Sequence, residues 1–60
     1  NTARFLGAEG VAVSNLRPSG IVKIADERVD VVTDGDFIEK VTKIKVIKTT
    51  AGRVIVSVAE

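Results

Sequence analysis

β-branched aliphatics recur in short alternating runs along almost the whole of this chain, and each run is closed by a turn signal. Seventeen of the 60 residues are Val or Ile. A period of two buries one face of a strand, whereas no segment carries the 3.6-residue apolar stripe that an amphipathic helix needs. The sequence therefore predicts an all-β domain. A chain this short buries only about 60% of the surface it exposes when unfolded, which leaves room for one modest core and no second domain.

The runs divide into five strands. Gly10–Leu16 alternates Val11 and Val13 with Ala12 and Ser14. Arg17-Pro18-Ser19-Gly20 fits a type I turn, with Pro18 presetting φ at its second position. Ile21–Ala25 follows, with Val22 and Ile24 on one face, and the tight pair Asp26-Glu27 leads into Arg28–Thr33. Glu27 is a poor residue for positive φ, so that hairpin is expected to shift or lengthen. Asp34-Gly35-Asp36 is a turn cluster, and Phe37–Val41 is either a short bridging strand or one helical turn. Lys43–Thr49 sets Ile44 and Val46 against Lys43, Lys45 and Ile47. A three-residue loop, Thr50-Ala51-Gly52, then connects to Arg53–Val58. Closing five such strands removes sticky sheet edges, which favours a small five-stranded barrel of the OB type. Residues 1–8 read as a loosely ordered arm or linker, and residues 9–60 as a single barrel domain. The chain opens without Met or any signal-peptide pattern and reads as a piece of a longer polypeptide.

Composition limits the chemistry. There is no His and no Cys, which removes imidazole bases, thiol nucleophiles, disulfides and the usual zinc sites. Ser14, Ser19 and Ser57 thus have no His to activate them. Carboxylates pair as Asp26 with Glu27, Asp34 with Asp36 and Asp30 with Glu39, but each pair lies in a turn or on a solvated strand face with no apolar pocket to raise a pKa. Asp34-Gly35-Asp36 lacks the ligand spacing and distal Glu of a calcium loop. The Gly7 and Gly10 spacing is too short for a phosphate loop and reads as a bend. No catalytic residue, cofactor or metal site is assigned. The net charge of +1 is far from that of a strongly basic nucleic-acid binder, and the longest uncharged stretch is Gly10–Leu16, too short to span a bilayer.

Three aliphatics fall out of phase with their strands. If Val29, Val31, Ile44, Val46, Val54, Val56 and Val58 point inward, alternation sends Val32, Ile47 and Ile55 outward. Ile47 and Ile55 are expected on neighbouring paired strands, with Lys43 and Lys45 on the same face. The candidate partner-docking patch is therefore Ile47, Ile55, Val32, Lys43 and Lys45, an aliphatic surface rimmed by lysine.

The phrase from Glu9 to Val58 resembles the soluble C-terminal domain of the NfeD family. The resemblance is carried most specifically by Gly10 to Gly20, which includes the turn Leu16-Arg17-Pro18-Ser19-Gly20, and then by GIVKI, RVDVV and FIEK. It implies an OB-fold tail, non-catalytic, on a membrane-anchored protein that pairs with stomatin- or flotillin-type proteins or carries a separate serine protease region. The domain itself would be soluble and cytoplasmic, with attachment through a region outside this chain and with self-association open. Two positions depart from the family pattern. Asp26 stands where a turn Gly is common, and Val41 stands where Gly usually follows FIEK, so the loop there is expected to differ locally.

Two other readings compete. A lipoyl- or biotinyl-type carrier would present a modified Lys at a hairpin tip, and these tips hold none. An OB-type single-strand nucleic-acid binder would need stacking aromatics, and only Phe5 and Phe37 are present.

Overall fold

The computed structural model describes residues 2–59. Its strands are β1 (Glu9–Ala12), β2 (Ser19–Ile24), β3 (Glu27–Thr33), β4 (Lys43–Thr50) and β5 (Arg53–Val58), preceded by a 3-10 turn over Thr2–Phe5. They form a closed barrel in the order β1-β2-β3-β5-β4. β1 is shared between β2 and β4, both antiparallel, and the barrel is completed by a parallel pairing of β3 with β5.

The alternation read from the sequence accounts for the core. Val22, Ile24, Val31, Ile44, Val46, Val54 and Val56 are buried, joined by Ala12, Leu16, Ile38 and Phe5. Val29 is half-buried and packs against this cluster. Val58, expected inside, is instead exposed at the last position of β5. The segment read as an arm differs from that expectation over its described residues. Phe5 enters the core, Arg4 donates to Glu27 at 2.6 Å, and the amide of Gly7 donates to the carbonyl of Val46. Asn1 lies outside the described residues.

The turns differ from the expected ones in ways that backbone geometry explains. Ala25 and Asp26 have φ of 50° and 67°, and Ile24 pairs with Glu27, so the first hairpin turns on Ala25-Asp26 rather than Asp26-Glu27. Positive φ at both central residues is the type I′ pattern that matches strand twist, and the shift spares Glu27 the left-handed region. The second hairpin also has two turn residues, Ala51 (φ 50°) and Gly52 (φ 79°), with Thr50 opposite Arg53 and therefore within β4. β1 ends at Ala12. Beyond it the chain bends so that the amides of Val13 and Ser14 both donate to the carbonyl of Ile21. Residues 17–20 do not form a separate turn, because Ser19 and Gly20 already belong to β2; the Arg17–Pro18 peptide is cis.

Residues 37–41 form neither a strand nor a helical turn. Ile38 makes an isolated antiparallel bridge to Leu16, with Leu16 N–H donating to the Ile38 carbonyl at 2.8 Å and Ile38 N–H returning at 3.2 Å. Asn15 Oδ1 accepts from the amide of Lys40, which ties the two loops together a second time. At Val41 the strained conformation that the sequence made costly is nevertheless adopted. Val41 has φ of 69°, its amide donates to the Ala12 carbonyl, and the Ala12 amide donates to the Thr42 carbonyl. That is the hydrogen-bond pattern of a G1 bulge with Val in the glycine position, so the backbone accepts the strain.

A left-handed L-residue costs roughly 1–2 kcal/mol, and β-branching does not lower that figure. The Val41 side chain is 76% exposed and recovers little of it by packing. Val41→Gly is therefore expected to stabilise the domain by about 1 kcal/mol after the entropic cost of Gly, a rise of about 4–8 °C in Tm for a domain of this size. Thermal unfolding followed by circular dichroism checks this. An unchanged or lowered Tm would show that Val41 makes compensating contacts.

Candidate functional site

The strand register decides where the out-of-phase aliphatics meet. Val32 of β3 and Ile55 of β5 are direct partners across the parallel ladder, and both are half-buried on the barrel's outer wall. On the other side of β5, Val46 pairs with Val56 and Lys48 pairs with Ile55, so Ile47 is the extra residue of a β-bulge. In a bulge two residues oppose one, which places Ile47 and Lys48 together across from Ile55. Ile47 is 48% exposed. The pair expected from alternation is thus replaced by a band: Val32, then Ile55, then Ile47 with Lys48.

The lysines separate. Lys45 stands opposite Glu9, and Lys43 stands opposite Val11, both on the β1 side of β4. Both are exposed and lie further up β4 than Ile47. Lys48, which the alternation argument did not single out, is the lysine at the band itself. The missed signal was the bulge, because an inserted residue changes the phase of everything after it and leaves no mark in a hydrophobic pattern.

Beside the band the outer wall is concave. A groove of about 490 Å³ is lined by Ser19, Ile21, Asp30, Val32, Arg53 and Val54 among others. It exists because β3 and β5 pair only at Val32–Ile55 and Thr33–Val56, leaving the N-terminal part of β3 without a ladder partner on that side. Aliphatic walls with Asp30 and Arg53 at the rim can hold a peptide-like surface. They do not assemble a nucleophile with a base.

The segment Leu16-Arg17-Pro18-Ser19-Gly20, expected as a turn, has a structural role. Leu16 is fully buried, and a Cβ on Gly20 would lie 2.4 Å from Leu16 Cδ2 and 2.8 Å from the Asn15 carbonyl oxygen. Gly20 lets the loop fold down so that Leu16 closes one end of the core. Arg17 lies over the ring of Phe37 at 5.0 Å, a cation–π contact on the surface. Phe5 is buried, so of the two aromatics only Phe37 is available to a ligand. The hairpin tips are Ala25-Asp26 and Ala51-Gly52, without the Lys that a carrier domain would modify. Among the described residues no helix is long and apolar enough to cross a membrane.

Comparison with known proteins agrees with this geometry. Residues 2–57 match the family of the NfeD-like C-terminal, partner-binding domain. Over 52 residues the chain is 51% identical to the membrane protein NfeD1b of Bacillus subtilis (strain 168), a match that covers 87% of this chain and 12% of that protein. Most of that relative therefore lies outside the match. The structure superimposes on the C-terminal domain of stomatin operon partner protein 1510-C from Pyrococcus horikoshii with a TM-score of 0.88 and 25% identity, covering 97% of this chain and 92% of the other. A closed five-strand barrel, Leu16 seated in its core and a match over nearly every residue lead to one assignment: this chain belongs to the family of the NfeD-like C-terminal, partner-binding domain.

Proposed function

We propose that this domain is the partner-binding tail of a membrane-anchored NfeD-like protein and that it docks a stomatin- or flotillin-type protein, or a serine protease region of its own parent, through its outer wall. The band Val32–Ile55–Ile47 carries the reading: it is contiguous, aliphatic and partly exposed, with Lys48 beside it and the rim of a groove adjoining it. Apolar area supplies affinity, and the surrounding charges, including Lys43 and Lys45 higher on β4, supply orientation and on-rate. Membrane attachment in this reading comes from parts of the parent outside this chain. The long relative and the solved stomatin operon partner domain support it.

The test uses the domain and the purified stomatin-type protein of the same genome, with co-elution and calorimetric titration as readouts. Ile47→Asp is expected to weaken association by more than tenfold, because a charge placed in a desolvated contact costs over 1.4 kcal/mol. The fold should persist, since the bulge position contributes no core side chain. Lys43→Glu should act mainly on the association rate and its salt dependence. Undiminished affinity of folded Ile47→Asp protein would remove the band from the interface.

A further inference from the structure

A second apolar surface lies on β1, and the sequence marked its residues only singly, Val11 and Val13 in the first strand and Val41 as a departure from glycine. Val11, Val13 and Val41 are 39%, 42% and 76% exposed. The bulge hydrogen bonds seat Val41 against Ala12, the residue between Val11 and Val13. Val11 stands between two lysines, Lys23 on β2 and Lys43 on β4, and Lys40 precedes Val41 in the chain. The patch is therefore three valines bordered by Lys40, Lys43 and Lys23, the last of these in an exposed ion pair with Asp26 at 3.6 Å that solvent screens. Glu39 is the carboxylate next to Lys40 in sequence, and Glu9, two residues before Val11 on the same strand, stands opposite Lys45 in the register.

Val41 makes this patch more than scattered exposed aliphatics. It holds a left-handed backbone at the glycine position of a bulge while its side chain stands in solvent. The bulge hydrogen bonds account for the backbone there, but a valine in place of glycine adds strain that its exposed side chain does not recover by packing within the domain.

From this we infer that the Val11–Val13–Val41 face contacts an anionic lipid surface, an inference that rests on the parent being membrane-anchored. The chemistry fits that occupant better than a protein. β1 is paired on both sides, so the face offers side chains and no free strand edge to a peptide. Three valines fall far short of the roughly 800 Å² per partner of a stable protein interface. A tethered domain needs only weak contact, and each lysine near an anionic bilayer contributes about a fivefold change in affinity.

The experiment is sedimentation of the isolated barrel with mixed phosphatidylglycerol/phosphatidylcholine vesicles and with phosphatidylcholine alone, at low and high salt. Spin-labelled lipid then reports which valine methyl signals broaden. Retention should require phosphatidylglycerol, fall at high salt, and broaden Val11, Val13 and Val41 ahead of Val32 and Ile55. Lys40→Glu with Lys43→Glu should reduce retention by more than tenfold. Val41→Gly should weaken it about fivefold while raising Tm, a combination that a purely structural role does not produce.

Retention that ignores phosphatidylglycerol, broadening centred on Val32 and Ile55, unchanged retention of Val41→Gly, or shifts of the three valines by the stomatin-type protein instead of vesicles would each overturn the inference. Fractionation of the full-length parent separates the two readings. A membrane-bound parent whose barrel ignores the vesicles sinks only the lipid contact, and a soluble parent whose barrel binds them sinks only the anchoring.

Discussion

Gly10→Ala is expected to lower the Tm of the domain by more than about 10 °C. A Cβ at Gly10 would stand 2.3 Å from the carbonyl oxygen of Lys23 and 2.8 Å from Ile24 Cγ1. The first of these is backbone in the neighbouring strand and cannot rotate away. β1 is also held from the other side, where Gly10 pairs with Ile44 of β4. Relief requires β1 to part from β2, and overpacking of that kind costs about 3 kcal/mol or more. A domain of this length has only roughly 3–9 kcal/mol in total. Urea and thermal unfolding followed by circular dichroism measure the effect, and a midpoint within a few degrees of the parent would show that β1 is free to shift. Gly7, where a Cβ meets nothing within 4 Å, is the control for crowding, although its φ of 83° keeps a smaller penalty there.

Leu16→Ala should be comparably severe. Leu16 is fully buried, and truncating such a leucine costs about 2–5 kcal/mol, the upper part of that range applying where the cavity cannot collapse. Collapse is restricted here because the Leu16 backbone is bonded both ways to Ile38 and the loop is pressed against Gly20. Arg17→Ala removes only the exposed stacking on Phe37 and should cost under about 1 kcal/mol. The contrast between neighbours tests whether the Leu16–Gly20 phrase is kept for packing. If Leu16→Ala unfolds near the parent's urea midpoint while Arg17→Ala abolishes partner binding in folded protein, the phrase is a contact site and the packing argument fails.

Much of the barrel was legible in the chain. Strict alternation identified the inward faces of β2, β4 and β5 because each has one wall against the core and one against solvent, and a one-residue slip would expose the whole set. β5 was legible to its ends, and β4 to within one residue. The hairpin turns were not, because type I′ geometry asks for positive φ at two residues and Ala25 and Ala51 do not advertise it. The role of Leu16 was hidden for a different reason. Its partner Ile38 lies far along the chain in a segment with no period of its own, and only the folded loops bring the two together.

The candidate surfaces show the same division. Local pattern alone determined that this chain forms a small all-β domain, that its strands alternate core and solvent, and that Val32, Ile47 and Ile55 break phase, since each of these depends on neighbours one or two residues away. Only the tertiary structure decided which of them touch. Val32 meets Ile55 because β3 and β5 close the barrel in parallel, a pairing between distant segments. Ile47 is joined there by Lys48 because a bulge inserts one residue into β4, and Val11, Val13 and Val41 form a face because a second bulge folds Val41 onto β1. Closure and bulges shift register by single residues between segments far apart in sequence, and a hydrophobic pattern read along one strand carries no information about its partner's register.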